Sequence, residues 1–279
     1  MSRELPRELP FVKMHGAGND FLMVSRGELG TGIDALDGAL VARLCDRRRG
    51  VGADGLILIG PDTDQDFAMA YYNSDGGEAE MCGNGARCAF VFARRTGLVG
   101  EGGGVCATAS GPVAGRFDGE AVSVDLTPPR DLCLDVPVET DHPFGRLHAV
   151  NTGVPHLVVP VDDLEAVEVP RWGRTLRHDP AFAPGGTNVN WVMPQAYGDA
   201  WLVRTYERGV EAETLACGTG ATAAALVLAA LGLADSPVDL LTRGGDRLTI
   251  AVRPGDPGAC PRLTGPAVEV FSGRVILDE

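Results

Sequence analysis

The sequence has 279 residues, of which 44% are hydrophobic and 22% are charged. This composition can bury a large core, and it therefore excludes a disordered or fibrous chain. The formal net charge of -14 would repel phosphates, so nucleic acid is not an expected partner. No apolar run reaches the roughly 18 residues of a membrane span, and no export signal is recognisable at the start, so we expect a cytoplasmic protein.

Strands predominate among the predicted elements, because short apolar runs are bounded by glycine and proline throughout. In chain order these runs are 21–24, 56–59, 121–124, 157–159, 189–192, 201–203 and 248–252, and a final strand is expected near 268–276. Three helices are also predicted. The first, at 33–46, is amphipathic, whereas those at 83–95 and 218–231 are apolar on nearly every face and are therefore expected to be buried.

An internal repeat divides the chain into similar halves. Both Cys82-Gly83-Asn84-Gly85-Ala86 and Cys217-Gly218-Thr219-Gly220-Ala221 follow the pattern C-G-x-G-A, 135 residues apart, and each opens one of the two apolar helices. The repeat predicts an α/β (α+β) protein with two similar domains, 1–127 and 128–263, each a strand-rich shell around one helix. The final strand, within 264–279, is expected to return to the first domain. We further expect the two helix starts to face a shared cleft.

The paired cysteines suggest proton transfer at a carbon atom. A cysteine just before a helix lies near unpaired amides and the positive end of the helix dipole, which favour the thiolate. The following glycines would let backbone N–H groups bind a carboxylate. If two such thiols flank one carbon, one can remove a proton and the other can return a proton to the opposite face. This chemistry needs neither a metal nor a cofactor, and it would be lost if the two thiols formed a disulfide.

Several alternatives remain open for these motifs. Both segments could be tight turns that cap core helices. The stretch 218–223 fits the dinucleotide-binding pattern G-x-G-x-x-A, but the preceding predicted strand ends about ten residues too early. A pyridoxal phosphate enzyme would have to use Lys13, because it is the only lysine. The seven cysteines form no zinc-binding pattern, although Cys82 and Cys217 could instead serve a thiol-disulfide redox protein.

Taken together, five segments closely resemble the diaminopimelate epimerase family, and the resemblance runs from about residue 11 to about residue 273. The segments are Lys13-Met14-His15-Gly16-Ala17-Gly18-Asn19-Asp20-Phe21, Asn73-Ser74-Asp75-Gly76, Met81-Cys82-Gly83-Asn84-Gly85-Ala86-Arg87-Cys88, Glu207-Arg208-Gly209 and Ala216-Cys217-Gly218-Thr219-Gly220. The resemblance implies two pseudo-symmetric domains, each a mixed β-barrel around a central helix. It also implies a cofactor-independent isomerase, often a homodimer, that interconverts LL- and meso-diaminopimelate for lysine and peptidoglycan synthesis.

The resemblance also implies roles for individual residues. Cys82 would deprotonate the LL substrate and Cys217 would reprotonate it, while His156 would lie near the thiols and help to set their protonation. The backbone at Gly83, Asn84, Gly218 and Thr219 would hold the reacting carboxylate, and Asn19, Asn73, Asn188, Glu207 and Arg208 would recognise the distal end of the substrate.

Two positions depart from the family pattern. Val154 stands where many members carry asparagine, and Gly55 replaces a glutamine of some relatives. Both changes bear on substrate recognition, so a racemase of another amino acid, such as histidine, remains an alternative on the same fold.

Overall fold

A computed structural model describes residues 6–30, 35–79, 82–252 and 259–277, and within them the chain forms strands around a small number of helices. The strands are β1 (Glu8–Gly16), β2 (Asn19–Ser25), β3 (Gly55–Gly60), β4 (Phe67–Asn73), β5 (Glu78–Ala79), β6 (Gly104–Thr108), β7 (Gly111–Asp118), β8 (Ala121–Asp125), β9 (Arg130–Cys133), β10 (His148–Asn151), β11 (Pro155–Pro160), β12 (Asn188–Pro194), β13 (Trp201–Glu207), β14 (Ala212–Thr214), β15 (Val238–Leu241), β16 (Arg247–Ala251), β17 (Arg262–Gly265) and β18 (Val268–Ile276). The helices are α1 (Gly38–Cys45), α2 (Gly83–Arg95), α3 (Val169–Arg177) and α4 (Gly218–Ala230), with 3-10 turns at Arg26–Leu29 and Pro180–Phe182.

The chain separates into two compact units. The first contains the described residues up to Val124 together with those from Pro266 onward, and the second is Asp125–Gly265. The boundaries expected from the sequence are 127/128 and 263/264. In the structure the chain passes from one unit to the other at Val124/Asp125 and Gly265/Pro266. Residues 278–279 of the predicted final strand, Ile33 at the start of the first predicted helix, and Met81 of the first cysteine motif lie outside the described residues.

In the first unit, parallel and antiparallel strand pairs occur in a defined order. β1 and β2 are antiparallel, β2 and β3 are parallel across the connection that carries α1, and β3 and β4 are antiparallel. β4 then pairs with β5 and, in parallel, with β6, which leads through antiparallel pairs to β7 and β8. The last strand, β18, runs antiparallel to β1.

The second unit repeats this pattern of directions. β10 and β11 are antiparallel, β11 and β12 are parallel across the connection that carries α3, and β12 and β13 are antiparallel. β13 pairs with β14 and, in parallel, with β15, which continues to β16 and β17. β9 lies beside β10, as β18 lies beside β1 in the first unit, but β9 precedes β10 in the sequence. The two units therefore share one topology, with α2 and α4 at matching places.

Each unit wraps its strands around one buried helix. α2 packs against β1, β2, β3, β4 and β7, and α4 packs against β10, β11, β12, β13, β15 and β16. Most residues of both helices are buried, in agreement with their lack of a polar face in the sequence. The fold class predicted from the resemblance, a mixed α/β protein built from two pseudo-symmetric halves, is confirmed.

The predicted first helix is the element that differs most from the structure. α1 begins only at Gly38, because the side chain of Asp37 accepts a hydrogen bond from the backbone N–H of Ala39 (2.7 Å) and caps the helix there. Its start packs closely on a turn of the same unit, since a Cβ atom at Gly38 would lie 2.7 Å from the carbonyl oxygen of Gly76.

Candidate active site

Each cysteine of the repeated motif occupies the residue just before its central helix. Cys82 precedes α2 and Cys217 precedes α4, and both have extended backbone conformations, as N-cap residues do. The first amides of a helix have no partner within it, so both sulfur atoms lie where the helix offers hydrogen-bond donors. Cys82 is partly exposed, whereas 9% of Cys217 is accessible.

Two hydrogen-bonding groups of α4 contact the sulfur atom of Cys217. The backbone N–H of Gly220 donates to Cys217 Sγ at 3.4 Å, and the hydroxyl of Thr219 lies 3.4 Å from the same atom. Thr219 is itself anchored, because its carbonyl oxygen accepts a hydrogen bond from the Thr152 hydroxyl (3.0 Å). This arrangement suits a thiolate, which accepts hydrogen bonds at a helix N-terminus.

A buried polar network lies beneath the start of α4. The Asn190 side chain donates from Nδ2 to the carbonyl oxygen of Leu157 (2.9 Å), and its Oδ1 accepts from the Thr205 hydroxyl (2.9 Å). The same Nδ2 lies 3.2 Å from Nδ1 of His156. A carbonyl oxygen can only accept, so Nδ2 must be the amide NH₂ group, and His156 Nδ1 must be the acceptor. The imidazole proton is therefore on Nε2.

Burial keeps this histidine neutral. Only 1% of His156 is accessible, and burial, with a smaller contribution from the positive charge of Arg208, lowers its pKa from 6.5 to about 3. Its Nε2 atom is buried without a hydrogen-bond partner among the described residues. His156 is therefore uncharged near neutral pH, and its Nε2–H group can donate a hydrogen bond.

The first unit has two apolar side chains and a tyrosine at the matching places. Phe21 pairs with the first residue of β3 as His156 pairs with the first residue of β12. In the same register, Ile57 corresponds to Asn190 and Tyr71 to Thr205. A Cβ atom added at Gly85 of α2 would meet Ile57 and Phe21, whereas one added at Gly220 of α4 would lie 2.3 Å from Asn190 Oδ1.

The sulfur atom of Cys82 faces the side chain of Asn19. The thiol donates to Asn19 Oδ1 at 3.6 Å, and Asn84 Nδ2 donates to the same oxygen at 3.4 Å. At its other end Asn19 donates from Nδ2 to Asp54 Oδ2 at 2.7 Å. Asn19 thus lies beside the thiol, and its role in recognising the distal end of the substrate stays a prediction.

Asp54 belongs to a cluster of hydrogen-bonded charged residues. Arg47 donates to both Asp54 Oδ1 (2.8 Å) and the two carboxylate oxygens of Asp20, and Lys13 Nζ lies 2.8 Å from Asp20 Oδ2. Burial opposes ionisation of Asp20, but hydrogen bonds from Arg47 and Lys13 outweigh it and hold the pKa of Asp20 well below its usual range. Lys13, the only lysine, is therefore engaged in an ion pair.

Three of the residues predicted for the distal end lie together in the second unit. Asn188 Oδ1 accepts the backbone N–H of Arg208 (2.8 Å), and its Nδ2 donates to the carbonyl oxygen of Pro155 (3.0 Å). Glu207 accepts a hydrogen bond from the Thr214 hydroxyl (2.9 Å). Asn73 lies in the first unit, at the exposed end of β4.

Both departures from the family pattern have a structural setting. Val154 is half-buried, and its carbonyl oxygen closes a tight turn with the N–H of Thr152. At Gly55, an added Cβ atom would lie 2.6 Å from the ring of Tyr71 and 2.5 Å from the carbonyl oxygen of Tyr72. A glutamine would therefore not fit at Gly55, because Tyr71 occupies that space.

Sequence reasoning missed three residues of these networks, namely Asp54, Asn190 and Thr205. Asn190 could have been noticed, since a lone amide within an apolar strand must find a buried partner. Asp54 precedes a fully buried strand, but its role depends on contacts with distant residues.

Among the described residues, no group of three or more potential ligands could hold a metal ion. None of the described helices has the length and apolar character needed to cross a membrane.

Comparison with known proteins identifies the family. The model of the family described as diaminopimelate epimerase matches residues 11–130 and 148–269. The diaminopimelate epimerase of Aquifex aeolicus is 44% identical over 280 residues, which cover 96% of this chain and 98% of that protein.

Two solved structures share the fold. A phenazine biosynthesis protein of the PhzF family from Bacillus anthracis superimposes with a TM-score of 0.75 at 15% identity, covering 98% of this chain and 100% of the other. A probable proline racemase from Agrobacterium radiobacter K84 has a TM-score of 0.70 at 19% identity, with 97% and 93% covered. The matched topology, the two cysteine N-caps and the extent of the family match together show that this chain is an isomerase that belongs to the diaminopimelate epimerase family.

Proposed function

We propose that this protein interconverts LL- and meso-2,6-diaminopimelate by moving a proton on and off one α-carbon, with Cys82 and Cys217 as the two bases. The observation that carries the proposal is the placement of a cysteine at the N-cap of the central helix in both units. A simple capping role gives no reason for a thiol at both places, since Ser, Thr, Asp and Asn are the preferred N-cap residues.

The proton balance needs one thiolate and one thiol at the start of each turnover. For the LL substrate, the Cys82 thiolate takes the α-proton and becomes a thiol, and the electron pair of the C–H bond stays on carbon. The Cys217 thiol then gives its proton to the opposite face of that carbon and becomes a thiolate. The reverse reaction exchanges the two roles, and no net proton is consumed.

The carbanion formed between the two steps must be stabilised by fixed dipoles. The backbone N–H groups at the starts of α2 and α4, contributed by Gly83, Asn84, Gly218 and Thr219, are suited to holding the carboxylate of the reacting centre. We propose that Asn19, Asn73, Asn188, Glu207 and Arg208 recognise the distal amino-acid group, with Arg208 binding its carboxylate.

The activity can be tested by solvent exchange. Purified, reduced protein is incubated in deuterium oxide with LL-diaminopimelate or with L-histidine, and the loss of each α-proton is followed by proton NMR. We expect exchange and formation of the meso isomer with diaminopimelate only. Exchange with histidine alone would replace the substrate assignment, and activity confined to the oxidised protein would favour a redox role.

Three further features are carried over from the resemblance and stay predictions. They are assembly as a homodimer, location in the cytoplasm, and a place in lysine and peptidoglycan precursor synthesis. Sedimentation analysis of the purified protein tests the first of them directly.

A further inference from the structure

We infer that Asp54 is a positioning residue that fixes the side-chain amide of Asn19, so that in the free protein Cys82 carries its proton while Cys217 holds the thiolate. This inference deepens the proposed function, because it says which of the two bases is ready before substrate binds. It depends on the contacts made at the two ends of Asn19 and on the different contacts around Cys217.

Two independent neighbours fix the orientation of the Asn19 amide. Asp54 uses both carboxylate oxygens as acceptors, from Arg47 and from the backbone N–H of Asp20 (3.2 Å), so the Asn19 atom 2.7 Å from its Oδ2 must be the NH₂ group. The Asn19 oxygen is then left to face Cys82.

The other neighbour of Asn19 gives the same answer. The guanidinium of Arg87, which can only donate, binds Asn84 Oδ1 at 2.9 Å. The NH₂ group of Asn84 must therefore be the end that lies 3.4 Å from Asn19. A donor at this position requires Asn19 to present its oxygen, which is also the atom that faces Cys82 Sγ at 3.6 Å.

An acceptor oxygen beside a sulfur atom stabilises the thiol and opposes the thiolate. The Asp54 carboxylate strengthens this preference for the thiol, because it holds the Asn19 oxygen towards the sulfur atom. Arg47 donates to Asp54 and so offsets its negative charge. Arg87 lies one turn into α2 and directs donors to the carbonyl oxygens of Gly83 and Pro266 as well as to Asn84. The contact with the Asn19 oxygen therefore favours the protonated form of Cys82.

Cys217 has the opposite surroundings. Its sulfur atom accepts the backbone N–H of Gly220 at 3.4 Å, whereas among the described residues Cys82 makes no such capping bond with α2. The residues that correspond to Asn19 and Asp54 by register are Val154, which has no polar side-chain atom, and Thr187, whose hydroxyl donates to the carbonyl oxygen of Asn188. Arg208 adds a positive charge near His156, where it helps to lower the pKa of that ring.

The asymmetry predicts a difference between the two substrates. A protein with a Cys82 thiol and a Cys217 thiolate can begin directly with the meso isomer, because Cys217 is then the base. With the LL isomer, a proton must first leave Cys82 and reach Cys217. On rapid mixing with one equivalent of substrate in deuterium oxide, exchange should start without delay for the meso isomer and after a lag for the LL isomer.

The resting state can be measured without any turnover, by the ultraviolet absorbance of thiolates at neutral pH. Burial raises the pKa of Cys45 to about 11 and those of Cys88 and Cys106 to about 12, so these three thiols stay silent. The two exposed cysteines, Cys133 and Cys260, are first replaced by serine. In that background, we expect the thiolate signal to disappear in the Cys217→Ala variant and to persist in the Cys82→Ala variant.

The role of Asp54 is tested by alkylation of Cys82 with iodoacetamide at neutral pH, in the Cys217→Ala background, followed by mass spectrometry. The Asp54→Asn change should raise the alkylation rate about three- to tenfold, because it removes a negative charge and no longer forces Asn19 to keep its oxygen towards the thiol. Asn19→Ala should raise it in the same direction. The control Asp62→Asn removes a partly exposed carboxylate of the same unit and should leave the rate unchanged.

Three results would overturn the inference. They are a thiolate signal that is lost with Cys82 instead of Cys217, a signal shared equally between the two, and an alkylation rate that neither Asp54→Asn nor Asn19→Ala increases. Each can be obtained even if diaminopimelate proves not to be the substrate, so the inference and the proposed function can fail separately.

Discussion

The two units of this protein share their topology, yet the side chains beneath their central helices have opposite characters. Under α4, His156, Asn190 and Thr205 form a buried hydrogen-bonded network. Under α2, the matching positions hold two apolar residues and a tyrosine, with Phe21 packed edge-on against Tyr71. The strand order therefore decides where each cysteine lies, while the residues below and beside it decide how that cysteine behaves.

This difference has a physical basis in how each unit packs its helix start. A buried amide must have all its hydrogen-bonding groups satisfied, and Asn190 meets that requirement with three partners. Ile57 at the matching position only needs apolar neighbours, which Phe21 provides. Duplicated topology is therefore compatible with unequal chemistry in the two units, and four sets of substitutions test this difference.

The largest expected effect comes from removing either thiol. Cys82→Ala and Cys217→Ala should each lower epimerisation of diaminopimelate by about 10²–10⁴-fold, the usual contribution of a general acid or base. Cys88→Ala, which removes a buried thiol from the same helix as Cys82, should keep its activity. If either of the first two variants retained wild-type rates in both directions, the two-base proposal would be wrong.

The second test uses the pH dependence of stability. The pKa of His156 is lowered from 6.5 to about 3 in the folded protein, so the unfolded chain takes up this proton first as the pH falls. The contribution of neutral His156 to the free energy of unfolding is complete above pH 6.5. It is lost between pH 6.5 and pH 3, by roughly 1.4 kcal/mol per pH unit. His156→Phe, which copies Phe21, should remove this loss.

The measurement is urea unfolding at pH 7 and pH 5. Between these values the wild type should lose roughly 2 kcal/mol more than the variant. An equal loss in both proteins would mean that His156 is not held neutral by burial.

The third test removes the centre of the network. Asn190→Leu leaves the carbonyl oxygen of Leu157 and the ring nitrogen of His156 without their donor, which should lower the free energy of unfolding by about 1–3 kcal/mol. The matched change Ile57→Val should cost about 0.5–1.5 kcal/mol.

Nitrogen-15 NMR of the imidazole supplies a readout that stability alone does not give. In the wild type the His156 proton should be on Nε2, and in Asn190→Leu this preference should weaken. A proton found on Nδ1 of the wild-type ring would contradict the assigned network.

The smallest effect is expected for alanine in the first turn of each helix. Gly220→Ala would place a Cβ atom 2.3 Å from the fixed Asn190 Oδ1, whereas Gly85→Ala would place it 2.9 Å from the flexible end of Ile57. Overpacking costs about 1–3 kcal/mol, and alanine returns up to about 1 kcal/mol in helix propensity.

Gly220→Ala should therefore be destabilised by about 1 kcal/mol, while Gly85→Ala should stay close to wild type. Thermal unfolding of the two variants decides between them, and equal stabilities would show that the network beneath α4 can move aside.

Much of the fold could be predicted from local sequence. Helix α2 has the predicted bounds, α4 ends one residue earlier than predicted, and β18 coincides with the predicted 268–276. The two helices are marked by their apolar composition and by the glycines that follow them, Gly97 and Gly232. The start of α1 was placed too early, because a single capping carboxylate at Asp37 overrides the longer amphipathic pattern.

The repeat can be recognised from the sequence alone: two C-G-x-G-A motifs start two apolar helices, and they place each thiol at a helix N-terminus. The surroundings of those thiols follow only from how the chain folds. The contacts of Cys82 with Asn19, of Asn19 with Asp54, and of His156 with Asn190 join residues from separate strands. Such contacts depend on strand register and amide orientation, and neither leaves a periodic or local signal in the chain.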